Sequence, residues 1–180
     1  MTHQYKLPNQ KIDPSGLLAY LKSQFKIDWL GHHGVPHLAR VRANGLMLAS
    51  ETGASKHVVE LFAYFHDSRR INEHQDHGHG KRGAILAQQL RGRFFEATDD
   101  EMALLVQACN YHSDGLLDDE ITVKTCWDAD RLDLGRVNMV PEPRYLCTEA
   151  ARLLSNLQKA HARAIAWKRE FDARHGRRVI

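Results

Sequence analysis

The run V-V-E-L-F-A-Y-F-H-D, from Val58 to Asp67, has almost no polar face. Val58, Val59, Leu61, Phe62, Ala63 and Phe65 point to a helix buried nearly all round rather than one lying on a surface. The run nevertheless ends in His66 and Asp67. A carboxylate and an imidazole at the end of an apolar helix are costly unless something pairs with them. A metal ion is an economical partner, so the rest of the chain is read for further ligands.

On either side the pattern stays helical. Asp13-Pro14 opens a first helix, with proline where its missing N–H does no harm. It runs to about Lys26, with Leu17, Leu18, Leu21 and Phe25 inward, after an irregular arm over Met1 to Ile12. Pro36 starts a second helix whose apolar side is Leu38, Val41, Leu48 and Ala49. Gly45 weakens it by roughly 1 kcal/mol relative to alanine, Gly53 ends it, and Ser55 caps the central helix. Ser68 to Gly78 reads as a loop, followed by a helix from about His79 to Arg91. Thr98-Asp99-Asp100-Glu101 matches a capping box and starts a helix whose apolar side leads to His112. Ile121 to about Val137 is helical. From Arg144 to Arg174, Leu153, Leu157, Ala160, Ala164, Trp167 and Phe171 follow the period of a helix with one buried stripe. No strand pattern or repeat interrupts this, so the expectation is an all-α, single-domain bundle over residues 1–180.

Composition sets bounds. At 180 residues, 43% hydrophobic and 26% charged, the chain is of ordinary globular type. No apolar run approaches the roughly 20 residues needed to cross a bilayer. Met1 to Gln10 lacks the apolar core of a secretory signal. The three cysteines, Cys109, Cys126 and Cys147, form no C-x-x-C pair, which argues for reduced core thiols and a cytoplasmic setting. The net charge of +3 is unevenly placed. Lys159 to Ile180 holds seven basic residues against Glu170 and Asp172, and the remainder is net acidic. A solvated basic face on the last helix, rather than nucleic-acid binding, is expected. The partner expected is a small phosphorylated molecule, with no membrane, and self-association remains open.

Two more groups suit the His66-Asp67 pair. His37 lies just inside the second helix, and Asp130 lies in D-A-D-R-L-D, with Asp128 as its rival for a ligand role. Two imidazoles and two carboxylates suit Mn, Fe, Co, Ni, Zn or Mg better than Cu(I). His32, His33, His3, His57, His74, His161 and His175 are expected in loops or at the surface, with His33 near enough to His37 to approach the site.

The segments H-G-V-P-H-L-A-R-V, F-A-Y-F-H-D-S-R-R-I-N-E, H-G-K-R-G-A, A-C-N-Y-H-S-D and D-A-D-R-L-D-L-G, over about 31–136, together resemble the HD-domain superfamily of metal-dependent phosphohydrolases. The resemblance implies a helical bundle around a central metal, with His37, His66, Asp67 and Asp130 as ligands and Asp133 in a supporting role. It also implies that His79 and His112 bind a second metal or the substrate phosphate, with Asp67 bridging and His77 competing with His79. One or two divalent ions per chain are expected. The helical extension over about 144–176 lies outside it.

A divalent ion acidifies bound water and polarises a phosphoryl oxygen, so no nucleophilic serine or cysteine is required. Arg70 and Arg82 are the candidates for phosphate contact, and Glu73, six residues after Asp67, for catalytic proton transfer. The leading expectation is hydrolysis of a nucleotide or other small phosphate ester. A di-iron oxygenase and a non-catalytic HD-type binding module are the alternatives.

Overall fold

The computed structural model describes residues 11–176. The N-terminal arm up to position 10, His3, Arg177 and Arg178 lie outside the described residues. The helices are α1 (Pro14–Gln24), α2 (Val35–Thr52), α3 (Lys56–Phe65), α4 (His79–Leu90), α5 (Asp99–Tyr111), α6 (Ile121–Arg131), α7 (Glu149–Arg152) and α8 (Leu154–Arg174). Short 3-10 turns lie at Leu134–Val137 and Pro143–Tyr145. Among the described residues there is no strand. There are only isolated bridges from Phe95 to Ile12 and to Arg91, so part of the expected irregular arm is tied down. None of the described helices is long and apolar enough to cross a membrane.

α3 is the axis of the bundle. Ser55 accepts from the Val58 amide to start it, and Val58, Val59 and every residue from Leu61 to Phe65 are buried. It packs against α2, α4, α5 and α6, which leaves only Lys56 exposed, with His57 and Glu60 half-buried. The main core joins residues of these helices to Leu17 and Leu21 of α1. A smaller cluster, Leu48, Leu132, Leu146, Ala151 and Ala160, fastens the C-terminal segment to α2 and the end of α6.

Glycines set the closest approaches. Gly45 lowers helix propensity, but a Cβ there would fall 2.4 Å from Val59 Cγ1 and 3.3 Å from Ala129 Cβ. It marks the point where α2, α3 and α6 meet. Likewise, a Cβ on Gly80 or Gly83 would strike the Cys109 or Phe65 carbonyl oxygen, at 2.0 and 2.2 Å. These two positions draw the start of α4 onto the C-terminal ends of α5 and α3.

The predicted starts and stops at Asp13, Gly53, Ser55 and the Thr98–Glu101 capping box are present. Three boundaries differ. α1 ends at Gln24, two residues earlier than expected, leaving Phe25 half-buried in extended backbone. α6 ends at Arg131 and gives way to the 3-10 turn, which Asn138 closes at φ 62°. The C-terminal stripe breaks at Leu153, which is extended and 51% exposed because it caps α8 instead of packing in it. Ala160, Ala164 and Phe171 are buried as expected. The basic face of α8 is not wholly solvated. Lys168 is buried in an ion pair with Asp172, and Arg163 donates to Asn44 Oδ1.

Candidate metal centre

Six side chains, five buried and Asp130 partly open, converge where helix ends meet. His37 comes from the first turn of α2, His66 caps the C-terminus of α3, and Asp67 follows it. His79 is the first residue of α4, His112 caps α5, and Asp130 lies in the last turn of α6. Each imidazole has one nitrogen occupied. Phe62 O is 3.1 Å from His66 Nδ1, Asp76 O is 2.6 Å from His79 Nδ1, and Cys109 O is 2.8 Å from His112 Nδ1. A carbonyl can only accept, so Nδ1 carries the proton in these three rings and Nε2 offers its lone pair inward. His37 Nδ1 faces Asp133 Oδ2 at 2.7 Å, with the same result.

These lone pairs face one another. His37 Nε2 lies 3.0 Å from His66 Nε2, and His79 Nε2 lies 2.8 Å from His112 Nε2. Asp67 sits between the two pairs. Its Oδ2 is 3.5 Å from His37 and 3.7 Å from His66, and its Oδ1 is 3.2 Å from His79 and 3.7 Å from His112. Asp130 Oδ1 completes the first group at 3.3 Å from His37 Nε2 and 3.9 Å from His66 Nε2. It is buried without a hydrogen bond.

The donor set fits a divalent cation. His37, His66 and Asp67 form one group that could hold a metal ion, and Asp67, His79 and His112 form another. Two ligands bound at about 2.1 Å to one ion lie roughly 3.0–3.4 Å apart at octahedral or tetrahedral angles, near the spacings seen. The orphaned Asp130 oxygen and the opposed Nε2 atoms are groups that a cation would satisfy.

The electrostatics agree. Burial and the Arg136 charge press the His37 imidazole down. The carboxylates of Asp130, Asp133 and Asp67 outweigh them and lift it to about 9. Burial holds His66 at about 3. Burial would raise Asp67, but His66, His112, His37 and His79 keep its carboxyl well below the ordinary range.

Other expected residues fall in different places. Arg70 borders the second group, with Nη1 at 3.3 Å from Asp67 Oδ1 and 3.2 Å from His79 Nε2. Arg82 instead closes a clamp. Its Nη2 donates to both oxygens of Asp76 at 2.6 and 2.7 Å, and its Nε donates to Arg69 O. That use of its donors braces the 68–78 loop rather than leaving a fork for phosphate. Glu73 lies apart from the six groups and meets His33 Nδ1 at 2.5 Å, while the His33 ring is 6.1 Å from that of His37. His77 is exposed, and His79 takes the inward position. Asp128 accepts from the Cys147 and Thr148 amides and the Thr148 hydroxyl, so it anchors the segment before α7 and faces no imidazole. His57 and His161, expected at the surface, are half-buried.

Two residues around the site carry no sequence signal of their own. Arg40 grips Asp133 with two bonds, of 2.6 and 2.9 Å, and lies 4.4 Å over the Trp167 ring. Arg136 is buried, with Nη2 3.9 Å from Asp130 Oδ1. The i, i+3 spacings His37–Arg40 and Asp133–Arg136 are the only hints.

No protein-family model matches the chain, and no curated protein matches it in sequence. Among solved structures, it is similar to a predicted HD superfamily hydrolase from an uncultured Thermotogales bacterium. The TM-score is 0.63 and the identity 23%, over 91% of this chain and 93% of that one. At that identity the likeness is one of fold, and the chain has the all-α HD-domain fold, with the buried histidine–aspartate cluster among its helix ends.

Proposed function

We propose that the protein is a metal-dependent phosphohydrolase acting on a nucleotide or another small phosphate ester. One observation carries this reading: a single carboxylate, Asp67, stands between two pairs of inward Nε2 atoms, with a guanidinium at the margin. His37, His66, Asp67 and Asp130 would hold one divalent ion, and Asp67, His79 and His112 a second. Bound there, such an ion polarises a phosphoryl oxygen and lowers the pKa of water.

The chain's own groups do the rest. Nδ1 contacts to Asp133 and to three backbone carbonyls keep each imidazole turned inward. Arg70 would meet the negative charge of the phosphoryl oxygens. Glu73, paired with His33 beside His37, would carry a proton between the reacting group and solvent. Three free cysteines suit a reducing, cytoplasmic setting.

Metal-stripped protein reloaded with Mn, Co or Ni should release phosphate from at least one member of a panel of nucleotides and phosphate esters. Protein that holds metal yet releases phosphate from none of them would refute the reading. The six-donor set also suits two irons. Oxygen consumption by iron-loaded protein without phosphate release would favour an oxygenase, and neither activity would favour a binding module.

A further inference from the structure

Arg136 is 6% exposed, and its Nε and Nη1 are buried without a hydrogen-bond partner. Its neighbours do not use it. Asp133 gives one oxygen to His37 and both to Arg40, leaving Arg136 Nη1 3.9 Å away. Asp130 Oδ1, 3.9 Å from Nη2, faces the first ligand group. The turn that carries Arg136 is fixed by its backbone. The Arg136 amide donates to Asp133 O, and Gly135 is pressed so close to α8 that a Cβ there would lie 2.9 Å from Ala164 Cβ. His32, packed on Trp167 and Phe171, also has a buried Nδ1 without a partner. Burial lowers its pKa, Glu73 opposes that shift, and the charges of His33, Lys168 and Arg136 add to it.

Charge balance indicates what is missing. Asp67, Asp130 and Asp133 are matched in number by Arg40, Arg70 and Arg136, all buried but for the partly open Asp130. With carboxylates and guanidinia cancelled, each divalent ion adds two uncompensated positive charges. A buried guanidinium with open N–H groups in such a field calls for an anion.

We propose that Arg136 is a subsite for a second anionic group of the substrate, next to the His37–His66–Asp67–Asp130 position. This deepens the phosphohydrolase reading and rests on it for the first anion. The ligand class is a molecule with two neighbouring anionic groups, such as the phosphoanhydride of a nucleoside diphosphate or triphosphate. A monoester with a neutral tail would leave Arg136 unmet.

The test is calorimetric titration of manganese-loaded protein with methylenediphosphonate and with methylphosphonate, neither of which is readily hydrolysed. Metal content is measured before and after. Wild type should bind the diphosphonate more tightly. Arg136→Met should weaken diphosphonate binding by about tenfold or more and methylphosphonate binding by less than about threefold, with metal content unchanged. Arg136→Lys, which keeps the charge without the fork, should fall between and provides the reading if the methionine variant does not fold. Equal losses for both anions, no loss for either, or a fall in metal content would overturn the proposal. Diphosphonate preference in a protein that hydrolyses no ester would leave the subsite standing and remove the hydrolase. Phosphate release with unchanged selectivity in the variants would do the reverse.

Discussion

The two halves of the cluster are built from different materials. The first draws on α2, α3 and α6, and its His37 is oriented by a side chain, Asp133, which Arg40 and Trp167 hold in turn. The second lies where α4 starts and α5 ends, and its histidines are oriented by the Asp76 and Cys109 carbonyls. The first contains an oxygen with no hydrogen bond, Asp130 Oδ1. The second has Arg70 beside it, so Asp67 Oδ1 already has a positive neighbour. The first group therefore gains more from an ion and should fill first. Its geometry is also vulnerable to side-chain substitution, whereas the second depends on the backbone of a loop and a helix end.

The largest effect should come from Asp67→Ala, which removes the shared ligand. Metal content should fall to background by elemental analysis, with phosphate release down by at least about 10³-fold. Retention of either ion would separate the two halves. His112→Ala should spare the first position, so the same measurement should find one ion per chain at metal concentrations that give two in wild type. An unchanged stoichiometry would end the account of the second half. Asp133→Asn should weaken metal at the first position by about 10–100-fold in chelator competition. It should also destabilise the fold by roughly 3–5 kcal/mol, because Arg40 is left as a buried unpaired charge. Trp167→Leu is the mildest. Losing the stacking on Arg40 should remove about 0.5–2 kcal/mol, a few degrees in thermal midpoint, with metal affinity changed by less than about threefold. A larger change in affinity would mean that the first half leans on α8 more heavily than its hydrogen bonds indicate.

How much was legible in the sequence follows from distance along the chain. The burial of α3, the capping box at Thr98 and the placement of His66-Asp67 at a helix end all depend on residues within a turn or two, where spacing reports contact. The acidic cluster D-A-D-R-L-D is conspicuous within a helix, but the choice of Asp130 over Asp128 rested on the resemblance to the HD-domain superfamily. The pairing of Arg40 with Asp133 spans 93 positions and has no local periodicity to reveal it. The carbonyls that turn His66, His79 and His112 are backbone atoms, which any residue supplies. Arg82 looked like a phosphate ligand because its charge is visible in sequence, while the Asp76 clamp that occupies it is a loop geometry. Gly45 read as a weakness because propensity is a property of an isolated helix, and the approach of Val59 and Ala129 is not.

The contact of Trp167 with Arg40 also bears on where the chain can be cut. A truncated protein stopping before position 144 would retain every residue named as a cation ligand. It would nevertheless lose the indole above Arg40 and the partners of Leu48 and Leu132 in the smaller apolar cluster. Such a fragment would hold all the donors on an unsupported frame, so the last fifth of the polypeptide is scaffolding to which no ligand belongs.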